Sequence, residues 1–401
     1  MEISDRKRQI FLIYLLAFVC AIGNPVILPC LPSIMGEFQL SPMEMGLTIS
    51  VFALPGMIII PLNGMLSDRL GRRPILLTGL FLAGLGSVLC YFSNSLFWLL
   101  VGRAIQGMSL TPLEAMTNTL VSDLFRGRER MKYISRATAM QFFSCIVVPL
   151  ISSALLLLGG WRMAFVFAGF LTFGAFLICL PMKVYYTPSR SVTLRQYGNQ
   201  LRTLLSSRRV LQLFSLRIIS AMLMFGVVYP HLSLLLTDRL GLPAESFGTM
   251  FAIFAIAMCF GSMMLSWIAA RMRSRTIGLL AGSLLTLAMV LFAEGSTLAP
   301  MVIALAFAGV GMGILSSSSA GHTALAATPD TRGTIMSAYS TTFRASQTIA
   351  PVIFGLVFQY RGFDGLFWGG ALVALASTFM AAAAFHLAET MEQKEAGAGK
   401  D

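Results

Sequence analysis

Acidic residues are scarce in this sequence, 17 Asp and Glu against 29 Lys and Arg in 401 residues, and charged residues of both signs make up only 11% of it. Soluble domains carry roughly 25% charged residues, so a water-soluble globular domain is excluded. Histidine occurs three times. The six cysteines, Cys20, Cys30, Cys90, Cys145, Cys179 and Cys259, fall within or at the edge of apolar runs without C-x-x-C or metal-ligand spacing. Neither a metal centre nor another cofactor is expected from that pattern, and the cysteines read as small hydrophobes. Zincin, G-x-S-x-G and paired-carboxylate arrangements are also missing, which argues against an enzyme.

What is present is apolar sequence: 56% of residues are hydrophobic and the mean hydropathy is +0.79. Twelve apolar runs lie near 9–31, 44–66, 74–92, 97–121, 134–158, 162–182, 210–236, 246–270, 276–294, 299–327, 334–360 and 365–388. Most reach the roughly 20 residues that cross a bilayer as a helix. The net charge of +12 suggests nucleic acid until it is placed. Arg162, Arg239 and Arg361 fall in outer loops, Arg103, Arg217 and Arg344 inside runs, and the other 23 cations on one side. By the positive-inside bias that side is the cytoplasm, with both termini in it. The first run follows Arg6-Lys7-Arg8 as a signal peptide does, but it is long and lacks a small-x-small cleavage site before Pro29 and Pro32. It is expected to stay as the first membrane helix.

Segment 183–209 interrupts the apolar rhythm with Lys183, Arg190, Arg195, Arg202, Arg208 and Arg209 and no acidic residue. It divides the chain into an N-terminal bundle, 1–182, and a C-terminal bundle with a short tail, 210–401. An internal repeat with an offset of about 202 residues relates the two: Val148-Pro149-Leu150 matches Ala350-Pro351-Val352, and the turn at Gly160-Trp161 matches that at Gly362-Phe363. Parallel halves of this kind hold substrate between them near the midplane and rock to give alternating access. Ser41-Pro42-Met43-Glu44 reads as an N-cap, an N1 proline and a reciprocal glutamate. Asn24-Pro25 with Pro29 should kink the first helix, either to bend it round a cavity or as prolines tolerated by neighbours.

The turn Gly64-Met65-Leu66-Ser67-Asp68-Arg69-Leu70-Gly71-Arg72-Arg73-Pro74-Ile75-Leu76 joins two runs so tightly that their helices must be antiparallel neighbours. Its pattern resembles the signature between helices 2 and 3 of the major facilitator superfamily of secondary transporters. Leu99-Leu100-Val101-Gly102-Arg103-Ala104-Ile105-Gln106-Gly107 resembles the helix 4 motif of the same superfamily, and Trp161-Arg162-Met163-Ala164-Phe165 the turn entering helix 6 of its drug:proton antiporter branch. Where that branch carries G-P-x-x-G-G, this chain has Val148-Pro149-Leu150-Ile151-Ser152-Ser153, keeping the proline without the glycines. The resemblance implies twelve transmembrane helices in two six-helix bundles. It also implies a cytoplasmic charge relay of Asp68, Arg72 and Asp123, with Gly71 permitting the turn, and a part for Arg103 in proton movement or in holding the backbone of helices 1 and 4. Structural pairing of Arg103 without coupling is the other reading.

The residues themselves supply the remaining candidates. An arginine inside a span is costly in lipid, about 2.5 to 3.5 kcal/mol, so Arg103 should point into the bundle. Glu114, eleven residues on, is only about 20° past three full turns and should face the same cavity. It is the one carboxylate inside a span, and therefore either the proton-coupling residue or an ionised group wetted by the vestibule. In run 11, Ser340, Arg344, Gln347 and Pro351 form a polar stripe. Run 10 adds Ser316 to Ser319, Gly321, His322 and Thr323. Arg217 either joins them or snorkels, His231 reads as structural, and His386 falls at the interface. Arg344, Arg217, His322, Gln347, Ser340 and Asn24 are the candidate substrate-binding residues. Their positive excess favours an anionic or zwitterionic substrate. The sequence thus predicts a monomeric, proton-coupled exporter in a bacterial inner membrane, with small molecules, protons and lipid as partners. The alternatives are a proton symporter importing an organic anion, a lipid-handling protein, or a transporter-derived sensor.

Overall fold

The computed structural model describes residues 3–125, 127–181, 194–326 and 332–398, apart from some side chains within those ranges. Among the described residues there is no strand. The first helices are α1 (Ile3–Cys20), α2 (Leu31–Phe38), α3 (Pro42–Leu70), α4 (Arg72–Tyr91), α5 (Leu96–Leu124), α6 (Gly127–Gly159) and α7 (Arg162–Cys179). After them come α8 (Leu194–Leu205), α9 (Arg208–Met222), α10 (Tyr229–Leu234), α11 (Ser246–Ala269), α12 (Ser274–Glu294), α13 (Leu298–Leu325) and α14 (Arg332–Ala398). Two compact units result, Met1–Thr193 with Leu242–Ala252, and Leu194–Gly241 with Ile253–Asp401.

Nine stretches among the described residues are long and apolar enough to cross a membrane, the last of them, 334–386, holding two of the twelve runs. The two runs outside that set have local reasons. The first is broken: α1 stops at Cys20, the backbone turns through 21–27, and one 3-10 turn at Leu28–Cys30 leads into α2. Prolines 25, 29 and 32 withhold the N–H groups that a continuous helix needs there, so the expected kink is a full unwinding. The other is α5, in which Arg103, Gln106, Thr111, Glu114 and Thr117 dilute the apolar character. Large apolar side chains such as Phe170, Met263 and Leu158 are exposed, as they are on a multi-pass membrane protein whose solvent is lipid.

Local chemistry sets the ends of these helices. At the start of α3 the Glu44 backbone N–H donates to Ser41 Oγ (3.3 Å), while the Ser41 N–H and hydroxyl donate to Glu44 Oε2 (2.9 and 2.8 Å). Pro42 fills the first helical position, so the capping box forms as read from the sequence. Gly160 (φ +74°) and Gly362 (φ +62°) hold the two left-handed turns of the repeat, a conformation that costs other residues about 1 kcal/mol or more. The second of these divides α14 into its two membrane segments.

The repeat extends into packing. A methyl on Gly107 would collide with the Phe52 carbonyl, and one on Gly309 with the Phe254 carbonyl. Both residues of the second pair lie 202 positions after those of the first. The units differ elsewhere. The run from Arg208 to Arg239 contains two π-helical stretches, Leu223–Val228 and Leu235–Arg239, on either side of α10. Helix α8, from the basic segment, belongs to the second unit: Leu204 and Leu201 pack on Val210, Phe214, Ile335 and Ala338. Lys183 and Arg190 of that segment lie outside the described residues.

Candidate functional site

In the first unit the polar centre is Arg103, with 0% of its surface exposed. Its Nε donates to the Thr48 carbonyl (3.1 Å), Nη1 to the Gly23 carbonyl (2.7 Å) and Gln106 Oε1 (2.8 Å), and Nη2 to Asn24 Oδ1 (2.5 Å). The guanidinium carbon stands 4.5 Å from the centre of the Phe52 ring. Unwinding of the first helix makes this possible, because it turns the Gly23 carbonyl and the Asn24 amide inward. Gln106 then donates to Ser87 Oγ (2.8 Å), whose hydroxyl donates to the Ala83 carbonyl (2.9 Å). One charge thus ties the broken first helix to α3, α4 and α5 through acceptors none of which is a carboxylate. Bonds from a charged donor contribute about 1.5 to 3 kcal/mol each, which is how the desolvation of a buried cation is offset.

The enclosure of Arg103 bears on two expectations. Arg103 does not share an open cavity with Glu114, since acceptors and Phe52 enclose it on every side. Asn24, expected among the substrate-binding residues, stands beside Arg103, because the broken helix aims its amide oxygen at the guanidinium. Glu114 is half-buried on α5, close to Cys20 at the end of α1. Of the relay, Gly71 (φ +86°) makes the turn between α3 and α4 and Arg72 is buried at the start of α4. The side chains of Asp68 and Asp123 lie outside the described residues.

The second unit gathers its cations differently. The Arg217 guanidinium carbon lies 4.1 Å from the Phe343 ring centre and 5.0 Å from that of Tyr339, and its Nη1 donates to Ser316 Oγ on α13 (3.4 Å). Arg344 donates from Nη1 to Gln347 Oε1 (2.8 Å) and stands 5.8 Å from the same Phe343 ring. The two guanidinium carbons are therefore within about 10 Å of each other, although 127 residues separate them in the chain. Phe225, from the first π-helical stretch, meets Phe343 edge-on at 5.2 Å. Arg217 thus points into its own unit rather than snorkelling. Ser340 is exposed on the same helix. His322 lies against Phe385, 4.8 Å between ring centres, and His231 is fully buried beside Phe358.

The family model of the Major Facilitator Superfamily matches residues 13–343 and 215–400. The chain belongs to the Major Facilitator Superfamily. The chain is 28% identical over 187 residues to the quinolone resistance protein NorA of Staphylococcus aureus (strain Mu50 / ATCC 700699), 47% of each chain. It is 33% identical over 114 residues to the bacillibactin exporter of Bacillus subtilis (strain 168), 27% of this chain and 28% of that one. It thus spans about half, or less, of the length of the curated relatives it matches. A bacterial homologue of the human lysosomal transporter Spinster, solved in an inward-facing and unoccupied conformation, superposes with a TM-score of 0.78 at 16% identity, over 98% of this chain and 99% of that one. That likeness carries the fold. The superfamily is one of transporters rather than enzymes, and a bacillibactin exporter is among the chain's relatives.

Sequence reasoning missed Phe343, Tyr339 and Phe52, the aromatic surfaces on which the three membrane arginines rest. The one available signal was Phe343 preceding Arg344. A further cluster also went unread. Arg162 donates to both carboxylate oxygens of Glu37 (3.0 and 2.7 Å) and to the Ser93 carbonyl (3.0 Å), and Trp161 Nε1 donates to Glu37 Oε2 (2.6 Å). The Arg162 hydrogen bonds, with that from Trp161, hold the Glu37 carboxyl below its ordinary range.

Proposed function

We propose that this chain is a proton-coupled exporter of small anionic or zwitterionic organic molecules, acting by alternating access. The observation that carries the reading is the convergence of Arg217 and Arg344 on Phe343. Aromatic faces hold a guanidinium without cancelling its charge, so the pair offers a positive, planar surface suited to a carboxylate or a metal-chelating metabolite. Gln347, Ser316 and Ser340 supply neutral hydrogen-bonding groups around it. That NorA is a quinolone resistance protein and another relative a bacillibactin exporter supports export of such compounds.

Glu114 is assigned the proton. A carboxylate that is protonated on one side and released on the other makes the return of the transporter depend on the gradient. Arg103, enclosed as it is, positions the first helix beside that carboxylate. Asp68, Arg72, Gly71 and Asp123 are assigned to the gate. The protein is taken to work as a monomer in a bacterial inner membrane with both termini in the cytoplasm. Energetics favour this direction: moving one charge across 100 mV is worth about 2.3 kcal/mol, so a potential negative inside drives an anion outward, whereas import of that anion has to overcome it.

Inverted vesicles with an imposed pH gradient test the reading. An anionic substrate should accumulate inside vesicles whose interior is acidic, and dissipating the gradient should release it. Uptake confined to right-side-out vesicles would assign the importing symporter instead.

A further inference from the structure

Helices α1 and α6 of the first unit bound a cleft of about 400 Å³ lined by Tyr14, Arg136, Ala139 and Met140. Arg136 is exposed, rests 5.8 Å from the Tyr133 ring centre, and has no hydrogen-bond or ion-pair partner among the described residues. The Tyr14 hydroxyl is buried in the same place, also without a partner among the described residues. A guanidinium and a phenolic donor, neither with a hydrogen-bond partner among the described residues, therefore face one cleft.

The internal repeat shows that this is not generic lining. The positions 202 residues after Tyr14 and Arg136 are Leu216 and Ala338, both buried. There the groove is covered by the amphipathic helix α8, whose Leu204 and Leu201 pack on Ile335, Ala338 and Phe214. One unit thus fills its groove with the apolar face of a helix of the chain. The other leaves the counterpart open and replaces Leu and Ala with Tyr and Arg, the residues of an anion site.

Depth identifies the anion. The apolar stretch of α6 begins at Lys132, which puts Arg136 four residues, about 6 Å, inside it, at headgroup level for a side chain of that length. About 10 Å further along the same helix, Phe143 is 52% exposed and meets Phe18 of α1 at 6.2 Å. A polar cradle followed by an apolar track has the order of a headgroup and its acyl chain. We propose that this cleft binds an anionic phospholipid of the leaflet holding the N-terminal end of α1, phosphate on Arg136 and Tyr14, acyl chain along Met140 and Phe143. Positive-inside placement makes that the cytoplasmic leaflet, where anionic lipids reside.

The test uses the delipidated full chain, with phosphatidylglycerol, phosphatidylcholine of the same acyl chains, and inorganic phosphate as probes, read by native mass spectrometry. Phosphatidylglycerol should bind at least tenfold more tightly than phosphatidylcholine. Arg136→Ala should remove that preference and Tyr14→Phe should weaken it severalfold, whereas Arg275→Ala, which deletes an exposed arginine of the second unit, should leave it intact. A phosphatidylglycerol with a photoreactive acyl chain should label residues 139–143. Equal binding of the two lipids, an unchanged preference in Arg136→Ala, labelling confined to other segments, or full competition by inorganic phosphate would each overturn the proposal. Tyr14→Phe, which removes one hydroxyl and no packing, keeps the test decisive if Arg136→Ala fails to fold.

Discussion

The two units are built on one repeat, yet they treat buried positive charge in opposite ways. In the first, Arg103 is enclosed, with four acceptor bonds and a phenyl ring around it. In the second, the position 202 residues later is Leu305, wholly buried, and the arginines sit elsewhere, half-buried against Phe343 and Tyr339. Asn24 likewise gives way to Gly226, and Glu114 to Ser316, the hydroxyl to which Arg217 donates. A charge saturated with neutral acceptors is a structural tie. The charges half-buried against rings are the ones proposed to meet a ligand. The lesson is that number and depth of membrane arginines say little about function until their partners are known.

The largest expected effect breaks the tie. Removing Arg103 leaves the Gly23 and Thr48 carbonyls and the Asn24 amide without their donor, and deleting one member of a buried charged network costs about 3 to 5 kcal/mol. Arg103→Ala should lower the thermal midpoint in detergent sharply or abolish folded protein, whereas Arg344→Ala should shift it little. The comparison also supplies its own rescue. Arg103→Leu with Asn24→Gly installs the second unit's residues in the first, and by removing one orphaned amide it should be more stable than Arg103→Leu alone. A wild-type midpoint in Arg103→Ala would show that the enclosure contributes nothing.

The next effect is on coupling. Glu114→Gln keeps shape and removes the titrating group, so concentrative transport driven by a pH gradient should be lost while binding and exchange persist. Normal pH-driven rates in that variant would take Glu114 out of the mechanism. Ser316→Glu, which gives the second unit the carboxylate of the first beside Arg217, should weaken an anionic substrate instead.

Membrane architecture was legible because apolar runs, prolines and glycines act locally. Ser41, Pro42 and Glu44 lie within one turn of each other, and Gly160 and Gly362 each decide a single dihedral. Partners distant in sequence were not legible. The sequence marked Asn24 as polar and inside a span, but only the unwound backbone shows that its amide belongs to Arg103. Trp161 and Arg162 were visible as a motif, while Glu37 stands 124 residues from Trp161 with no local signal to connect them. Phe343 was unreadable for another reason: a phenylalanine in an apolar helix looks like lipid-facing bulk until two arginines are found on it.

Substrate recognition should change more modestly. Arg344→Lys retains charge but loses the planar pair of donors, and an anionic ligand should bind about tenfold more weakly, about 1.4 kcal/mol. Phe343→Leu, which keeps apolar bulk and removes the ring shared by both arginines, should weaken it by a similar factor without affecting a cationic ligand. Titration of purified protein with matched anionic, zwitterionic and cationic compounds measures both. If cations bind best and neither variant differs from wild type, the arginines of the second unit are as structural as Arg103.

The smallest effect concerns pH and the turn after the repeated proline helix. In the first unit Glu37 meets Trp161 and Arg162. The positions 202 residues on are Arg239, Phe363 and Asp364, so the charges are exchanged. There Arg239 donates to the Phe292 and Ala293 carbonyls (3.1 and 2.8 Å), and Asp364 has no hydrogen-bond or ion-pair partner among the described residues. Glu37 is held below the ordinary carboxylate range by Arg162 and Trp161. Its contribution is therefore complete above the unfolded glutamate value of about 4.3 and is lost as pH falls through the lower, folded value. The Arg162 and Glu37 side chains are 33% and 40% exposed, so screening limits the contribution to about 1 kcal/mol or less. Glu37→Gln should lower the unfolding midpoint slightly at neutral pH and flatten its decline below about pH 4, whereas Asp364→Asn should leave both unchanged. An identical acid profile for wild type and Glu37→Gln would mean that the exchange of charges between the units has no energetic consequence at that turn.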